Sequence, residues 1–245
     1  MKSRSDENRF CVNHNELTYE TDGLFTVLSE RSFTLSRAYG ARITETASGF
    51  IDAEPLIKTP EEPLSIPPLL SRPLVLKQLD HIKKASKHEN IRLNVVAPYT
   101  LLAELSPPKL PAWLIKHPRF VRDALETLTR EIFGYVAAAL ENGALVISLS
   151  DYHAQRNLLG QARFTSFAAE YQRGLLVMLT QSGLHGVIHL CPQSFEPFPT
   201  KAQRASDRSY QRSLLQTARQ SDSIVILGGQ CPHTRYSENL YKVIF

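Results

Sequence analysis

No stretch of this chain stays apolar for the roughly 20 residues that a membrane-spanning helix needs, so insertion in a bilayer is not expected. Met1 to Arg9 are polar and charged with no apolar core behind them, and secretion is not expected either. Cysteine is scarce: Cys11, Cys191 and Cys231 are the three in the sequence. An odd, sparse set gives no disulfide framework. It leaves catalytic, metal-binding or buried thiols, and it fits a reducing, cytoplasmic setting. No Gly-rich phosphate loop follows any apolar run, which removes the strongest cue for a nucleotide-binding sheet. Internal repeats and low-complexity tracts are missing as well. The net charge of +4 is spread along the chain, with no basic run longer than Lys83-Lys84. A solvated surface is expected rather than a nucleic-acid face, because clustering matters more than net charge.

What is present suits a globular protein. At 245 residues and 42% hydrophobic content the chain can enclose one barrel-sized core or two small ones. Residues 1–30 read as an N-terminal extension. Within it the runs Leu17-Thr18-Tyr19 and Leu24 to Leu28 flank a turn at Asp22-Gly23, giving either a hairpin or a loose segment. Prolines at 60, 63, 67, 68 and 73 make Thr59 to Pro73 an extended crossing segment.

Beyond it helix and strand alternate. Leu76, Leu79, Ile82 and Ala85 share one face of a helix over Leu74 to Lys87, and Ile91 to Ala97 reads as a buried strand. A Pro-rich loop, Ser106 to Pro111, precedes a long helix that starts near Pro118, runs through Val121, Leu125, Leu128, Ile132, Val136 and Leu140, and stops at Asn142-Gly143. Then come the strand Ala144 to Leu149, a helix from about Phe164 to Gln181, the strand Gly186 to Cys191, a helix from about Asp207 to Gln220, and the strand Ser223 to Leu227. Apolar strands separated by helices imply an α/β fold with a parallel sheet, since parallel neighbours need a crossover. Pattern alone leaves an open sheet and a closed barrel equally available.

In Gly186-Val187-Ile188-His189-Leu190-Cys191 the imidazole and the thiol are two residues apart on a strand, so both face the same way. Cys231 follows the strand Ser223 to Leu227 and the pair Gly228-Gly229, near the carboxyl end where such sheets keep their sites. One imidazole and two thiolates suit zinc, and three protein ligands leave one corner for substrate. The competing reading is a buried core histidine and two inert thiols. Cys11, in the polar extension, has no nearby partner.

Several segments carry a family likeness in the right order. They are Val95-Val96-Ala97-Pro98-Tyr99-Thr100-Leu101, Ala138 to Ala144 followed by Ile147-Ser148-Leu149-Ser150-Asp151, His189-Leu190-Cys191, Gly229-Gln230-Cys231-Pro232, and Ser237-Glu238-Asn239-Leu240. On these, the chain from about Phe33 onward resembles the uroporphyrinogen decarboxylase superfamily, and within it the methylcobamide:thiol methyltransferases of the coenzyme M type, in shortened form. The resemblance implies a TIM-type (β/α)8 barrel over residues 31–245, with helices outside a parallel sheet and a helix starting at Ser237 to Leu240. It implies zinc held by His189, Cys191 and Cys231, and a methyl-corrinoid carried on a partner protein. The activity it implies is transfer of that methyl to a small thiol substrate activated as a zinc thiolate.

The chain also departs from that family. About 30 residues separate Cys191 from the last strand, room for a helix but not for further strand–helix units. An incomplete barrel is therefore expected, or a homodimer in which a second subunit covers the gap. The arginine motif that decarboxylases use on substrate carboxylates is not recognisable, so a decarboxylase is the weaker branch. A third reading is a non-catalytic relative that binds a corrinoid protein.

Smaller candidates complete the list. Asp151 is the catalytic-site candidate, able to orient a ligand or to cap the next turn. His153 and Arg156 share its loop, the arginine suited to an acidic group on the substrate or to the surface. Glu104 reads as a solvated helix residue in preference to a ligand's partner. Ser237 reads as a helix cap, and His233 as a substitute ligand that the family pattern ranks behind His189.

Overall fold

The computed structural model of the chain describes residues 18–21, 24–29, 34–45, 51–60, 66–192, 200–204, 210–229 and 239–243. Prolines set the starts of the helices. Pro73, Pro98 and Pro118 open α2 (Pro73–Ala85), α3 (Pro98–Leu105) and α5 (Pro118–Glu141), while Pro111 is the second residue of α4 (Leu110–Lys116). Proline loses nothing there, because the first helical amides have no partner in the helix and its fixed φ already suits the turn. The Ser106 to Pro111 loop expected from sequence thus contains the first residues of α4. A short α1 (Thr34–Ala38) precedes these helices, and the short α6 (Arg156–Leu159) and α7 (Gln161–Phe164) follow α5.

The long helix is as expected. Val121, Leu125, Leu128, Ile132, Val136 and Leu140 of α5 are all buried. It ends where Gly143 takes φ +101°. A Cβ there would lie 2.5 Å from Ser86 Oγ. Gly143→Ala is therefore expected to cost about 2 kcal/mol or more, read as a lower urea midpoint. On α2 the buried face is Val75, Gln78, Leu79 and Ile82. Leu76, expected on that face, is 52% exposed.

The main sheet has the order β1-β2-β5-β6-β7-β9-β10-β8. Its centre is parallel: β2 (Thr26–Ser29), β5 (Ile91–Val96), β6 (Ala144–Ser150), β7 (Gly186–Leu190) and β9 (Ile224–Gly228). The edges are antiparallel. The hairpin of β1 (Thr18–Thr21) and β2 forms one, so residues of the first 30 enter the same sheet. At the other edge β10 (Asn239–Val243) joins β9, and β8 (Thr200–Arg204) joins β10. A separate two-stranded ribbon pairs β3 (Ile43–Glu45) with β4 (Ile51–Ala53).

Two corrections follow. Asn239 and Leu240 lie in a strand, not at a helix start. The stretch after Cys191 holds a strand, β8, which lies antiparallel at the far edge instead of adding a parallel unit. The fold is the α/β arrangement expected, in its incomplete form: among the described residues the edge strands β1 and β8 do not meet. No helix among the described residues is long and apolar enough to cross a membrane.

Alternation along the strands gives the sheet two different faces. Ile147, Leu149, Ile188, Leu190 and Ile226 point into the large core shared with α2, α3, α5 and α8 (Glu170–Thr180). Val146, Val187 and Leu227 point the other way, against Tyr210, Leu214 and Ala218 of α9 (Tyr210–Gln220). One helix thus departs from the outer layer and covers the inner face.

Candidate functional site

The carboxyl ends of β6 and β7 bring polar groups into an apolar frame. His189 is fully buried on the inner face, where register pairs it with Ser148 of β6. Its Nδ1 lies 3.2 Å from Ser148 Oγ. The ring meets Tyr210 edge-on, with centroids 5.6 Å apart and planes at 77°. Cys191 follows β7 and is half-buried. Its amide donates to Leu149 O at 3.1 Å, so the extended ladder runs past the end of the strand and keeps the alternation that puts residue 191 on the side of His189.

Cys231, His233 and Ser237 lie outside the described residues, as does Cys11. Among the described residues no three His, Cys, Asp or Glu side chains converge as a cation site.

Asp151 belongs to the other face. It is 2% exposed, and its Oδ1 accepts from the Thr100 amide at 2.9 Å and the Thr100 hydroxyl at 2.6 Å. Thr100 is the third residue of α3, so this carboxylate caps the amino end of a helix remote in sequence, not the turn after its own strand. Burial lifts the Asp151 carboxyl to about 7, although both Thr100 donors pull it down. Burial and the nearby Asp151 charge also hold the Tyr99 hydroxyl above the usual phenol range. The Thr100 hydroxyl in turn accepts from the His153 amide at 3.1 Å, tying the loop to α3.

Glu104 is the residue that sequence reasoning misjudged. It is 2% exposed, not solvated. Its two oxygens accept from Ser36 of α1, at 2.9 Å, and from the Tyr152 hydroxyl, so one carboxyl joins α1, α3 and the loop after β6. Burial raises it to about 8; the Tyr152 and Ser36 bonds oppose this, and the Asp151 charge adds to it. The clue was available: Glu104 is the one charge within the apolar run Leu101 to Leu105. His153 is exposed, with its ring against that of Tyr152. Arg156 is exposed and sits 5.4 Å from the Phe164 ring. Neither joins the His189 side.

The family model for uroporphyrinogen decarboxylase (URO-D) matches residues 33–206, well over half of the chain. The chain belongs to the uroporphyrinogen decarboxylase family. That family is built on a TIM barrel, and this member carries its parallel strands and outer helices in an unclosed form. Among solved structures, a methyltransferase from Methanosarcina mazei is 24% identical with a TM-score of 0.56, over 68% of this chain and 51% of that one. The likeness shows a shared fold, and the match spans about half the length of that protein. No curated protein matches the chain.

Proposed function

We propose that this uroporphyrinogen decarboxylase family member is a zinc-dependent methyltransferase, moving a methyl group from a methyl-corrinoid on a partner protein to a small thiol. One observation carries the reading: His189 is held through Nδ1 by Ser148 at the end of a strand that continues into Cys191. Metal-bound histidines characteristically engage their second ring nitrogen in such a bond, which fixes tautomer and orientation. Nε2 would then be the coordinating nitrogen. An imidazole with Cys191 and Cys231 is a donor set that suits zinc, and it leaves a fourth position for substrate.

Zinc, when bound, would lower the pKa of a thiol enough to supply a nucleophile near neutral pH. The chain's own residues do the positioning. Ser148 aims the imidazole, and Cys191 stands at the half-buried strand end, where a substrate arriving from outside can reach. Asp151 is a positioning residue in this reading. Its bonds to Thr100 pin the loop after β6, the strand paired with β7, to α3.

The test is zinc-loaded protein given methylcobalamin and a series of small thiols, followed by absorbance. Demethylation is expected, and Cys191→Ser should bring it to background. Ser148→Ala should keep the fold and weaken zinc binding by about 10–100-fold. Unchanged transfer in Cys191→Ser would contradict the reading. Turnover of a porphyrinogen by zinc-free protein would favour a decarboxylase, and tight corrinoid-protein binding without transfer a non-catalytic relative.

A further inference from the structure

The parallel strands β5, β6 and β7 end side by side on the face that carries His189. In β5, Leu93 and Val95 enter the large core, so alternation turns Arg92 and Asn94 to the opposite, inner side, where Arg92 meets Phe25. Register sets Asn94 level with Ser148 of β6, and Ser148 level with His189 of β7. Further along, Ser150 stands beside Cys191, because Leu149 pairs with Leu190. An amide, a hydroxyl and a thiol therefore mark the carboxyl ends of three neighbouring strands on one side of the sheet.

These three differ from their neighbours in exposure. Ser148 and His189 are buried where α9 rests on β6 and β7, whereas Asn94, Ser150 and Cys191 are half-buried. Solvent thus reaches this face from the β5 side and along the strand ends. Their hydrogen bonding differs too. The Ser148 hydroxyl is engaged by His189 Nδ1, but among the described residues the Asn94 amide and the Ser150 hydroxyl have no partner. Half-desolvated groups of this kind discriminate between ligands by whether a ligand satisfies them, so the pair suits a hydrogen-bonding oxygen. The span is short. Neighbouring strands lie about 4.8 Å apart, which puts Asn94 and His189 roughly 10 Å from each other between backbones.

We infer that Asn94 and Ser150 seat the far end of the acceptor, a small molecule whose hydrogen-bonding oxygen group, hydroxyl or carboxylate, lies a few bonds from its sulfur. The sulfur points toward Cys191 and the oxygen stays on the β5 side. That the ligand is a thiol rests on the proposed methyl transfer at His189 and Cys191; the polar seat itself does not depend on it.

The experiment uses the full chain supplied with zinc and methylcobalamin, and three thiols: ethanethiol, mercaptoethanol and mercaptopropionate. Wild type should take the two oxygen-bearing thiols with KM values about tenfold or more below that for ethanethiol. Asn94→Ala and Ser150→Ala should each reduce that advantage by about three- to tenfold, and the change should fall on KM rather than kcat, because the bond is made equally before and during transfer. Whichever of the two thiols loses more identifies its oxygen group as the one seated. A second readout needs no turnover. The side-chain amide signal of Asn94 in the NMR spectrum, assigned by its loss in Asn94→Ala, should move with mercaptoethanol or mercaptopropionate and stay in place with ethanethiol. If wild type methylates none of the thiols while that signal still moves, the methyltransferase reading fails and the seat stands. Transfer with an unchanged thiol preference in both variants overturns the seat alone. An amide signal that ignores all three thiols overturns it as well.

Discussion

Raising the pH from about 5 to about 9 is expected to lower the stability of this protein by several kcal/mol, most of it through Glu104 and Asp151. The sign follows from where each proton is held more tightly. Burial lifts Glu104 from an ordinary 4.5 to about 8 and Asp151 from 3.8 to about 7. Between those limits the folded chain keeps protons that the unfolded chain has released, so stability is highest at the acid end of each window and is lost as pH rises through it. Between those pH values Glu104 accounts for on the order of 4 kcal/mol and Asp151 for on the order of 3, before other groups are counted.

Glu104→Gln isolates one of them. The amide is neutral at every pH, can still accept from Tyr152, and can donate to Ser36. Urea unfolding should then show a flatter pH dependence, and a variant more stable than wild type near pH 9. Glu104→Leu removes the bonds as well, and should cost about 1–3 kcal/mol at low pH by leaving Ser36 and Tyr152 to find other partners. Wild-type stability that ignores pH, or an unchanged slope in Glu104→Gln, would contradict the placement of this carboxyl.

His189→Ala carries the second large effect, in two separable parts. In the metal-free chain, truncation of a fully buried ring opens a cavity between β7 and α9 and leaves Ser148 without the bond to Nδ1, a loss of about 2–4 kcal/mol. With zinc held as proposed, the zinc-supplied chain should lose more, because a ligand that binds only the folded state adds its binding free energy to stability. Thermal unfolding with and without zinc reads the difference: wild type should rise on adding zinc, and His189→Ala should not. A rise in the variant equal to that in wild type would remove His189 from the ligand set.

Much of this architecture was legible in the sequence because burial writes a period. The stripe from Val121 to Leu140 specifies one face of α5, and the Val-, Ile- and Leu-rich runs at Ile91, Ala144, Gly186 and Ile224 specify strands enclosed on both sides. The prolines misled. Pro111 stands in a stretch whose prolines signal a loop, although the first turn of a helix accepts proline.

The side of the sheet taken by α9 was not legible either. Tyr210, Leu214 and Ala218 show that the helix has a buried face, but amphipathicity does not say which surface it meets. The strands β8 and β10 were missed because sequences such as Thr-Lys-Ala-Gln-Arg lack the apolar alternation of a core strand. At the candidate site, the shared face of His189 and Cys191 follows from a spacing of two. The Ser148 bond depends on the register between β6 and β7, which a sequence does not contain. Glu104 needed tertiary information as well, since its partners lie 68 and 48 residues away.

The central claim is that His189, Cys191 and Cys231 hold one metal ion together, and cobalt substitution tests it most directly. Wild-type protein titrated with cobalt(II) should give the visible bands of a tetrahedral ion and a near-ultraviolet thiolate-to-cobalt transition. Cys191→Ala and Cys231→Ala should each lose about half of that transition, and the double variant should lose all of it, because each thiolate contributes separately. A Cys231→Ala spectrum identical to wild type, or a wild-type spectrum of six-coordinate cobalt without thiolate bands, would contradict the account.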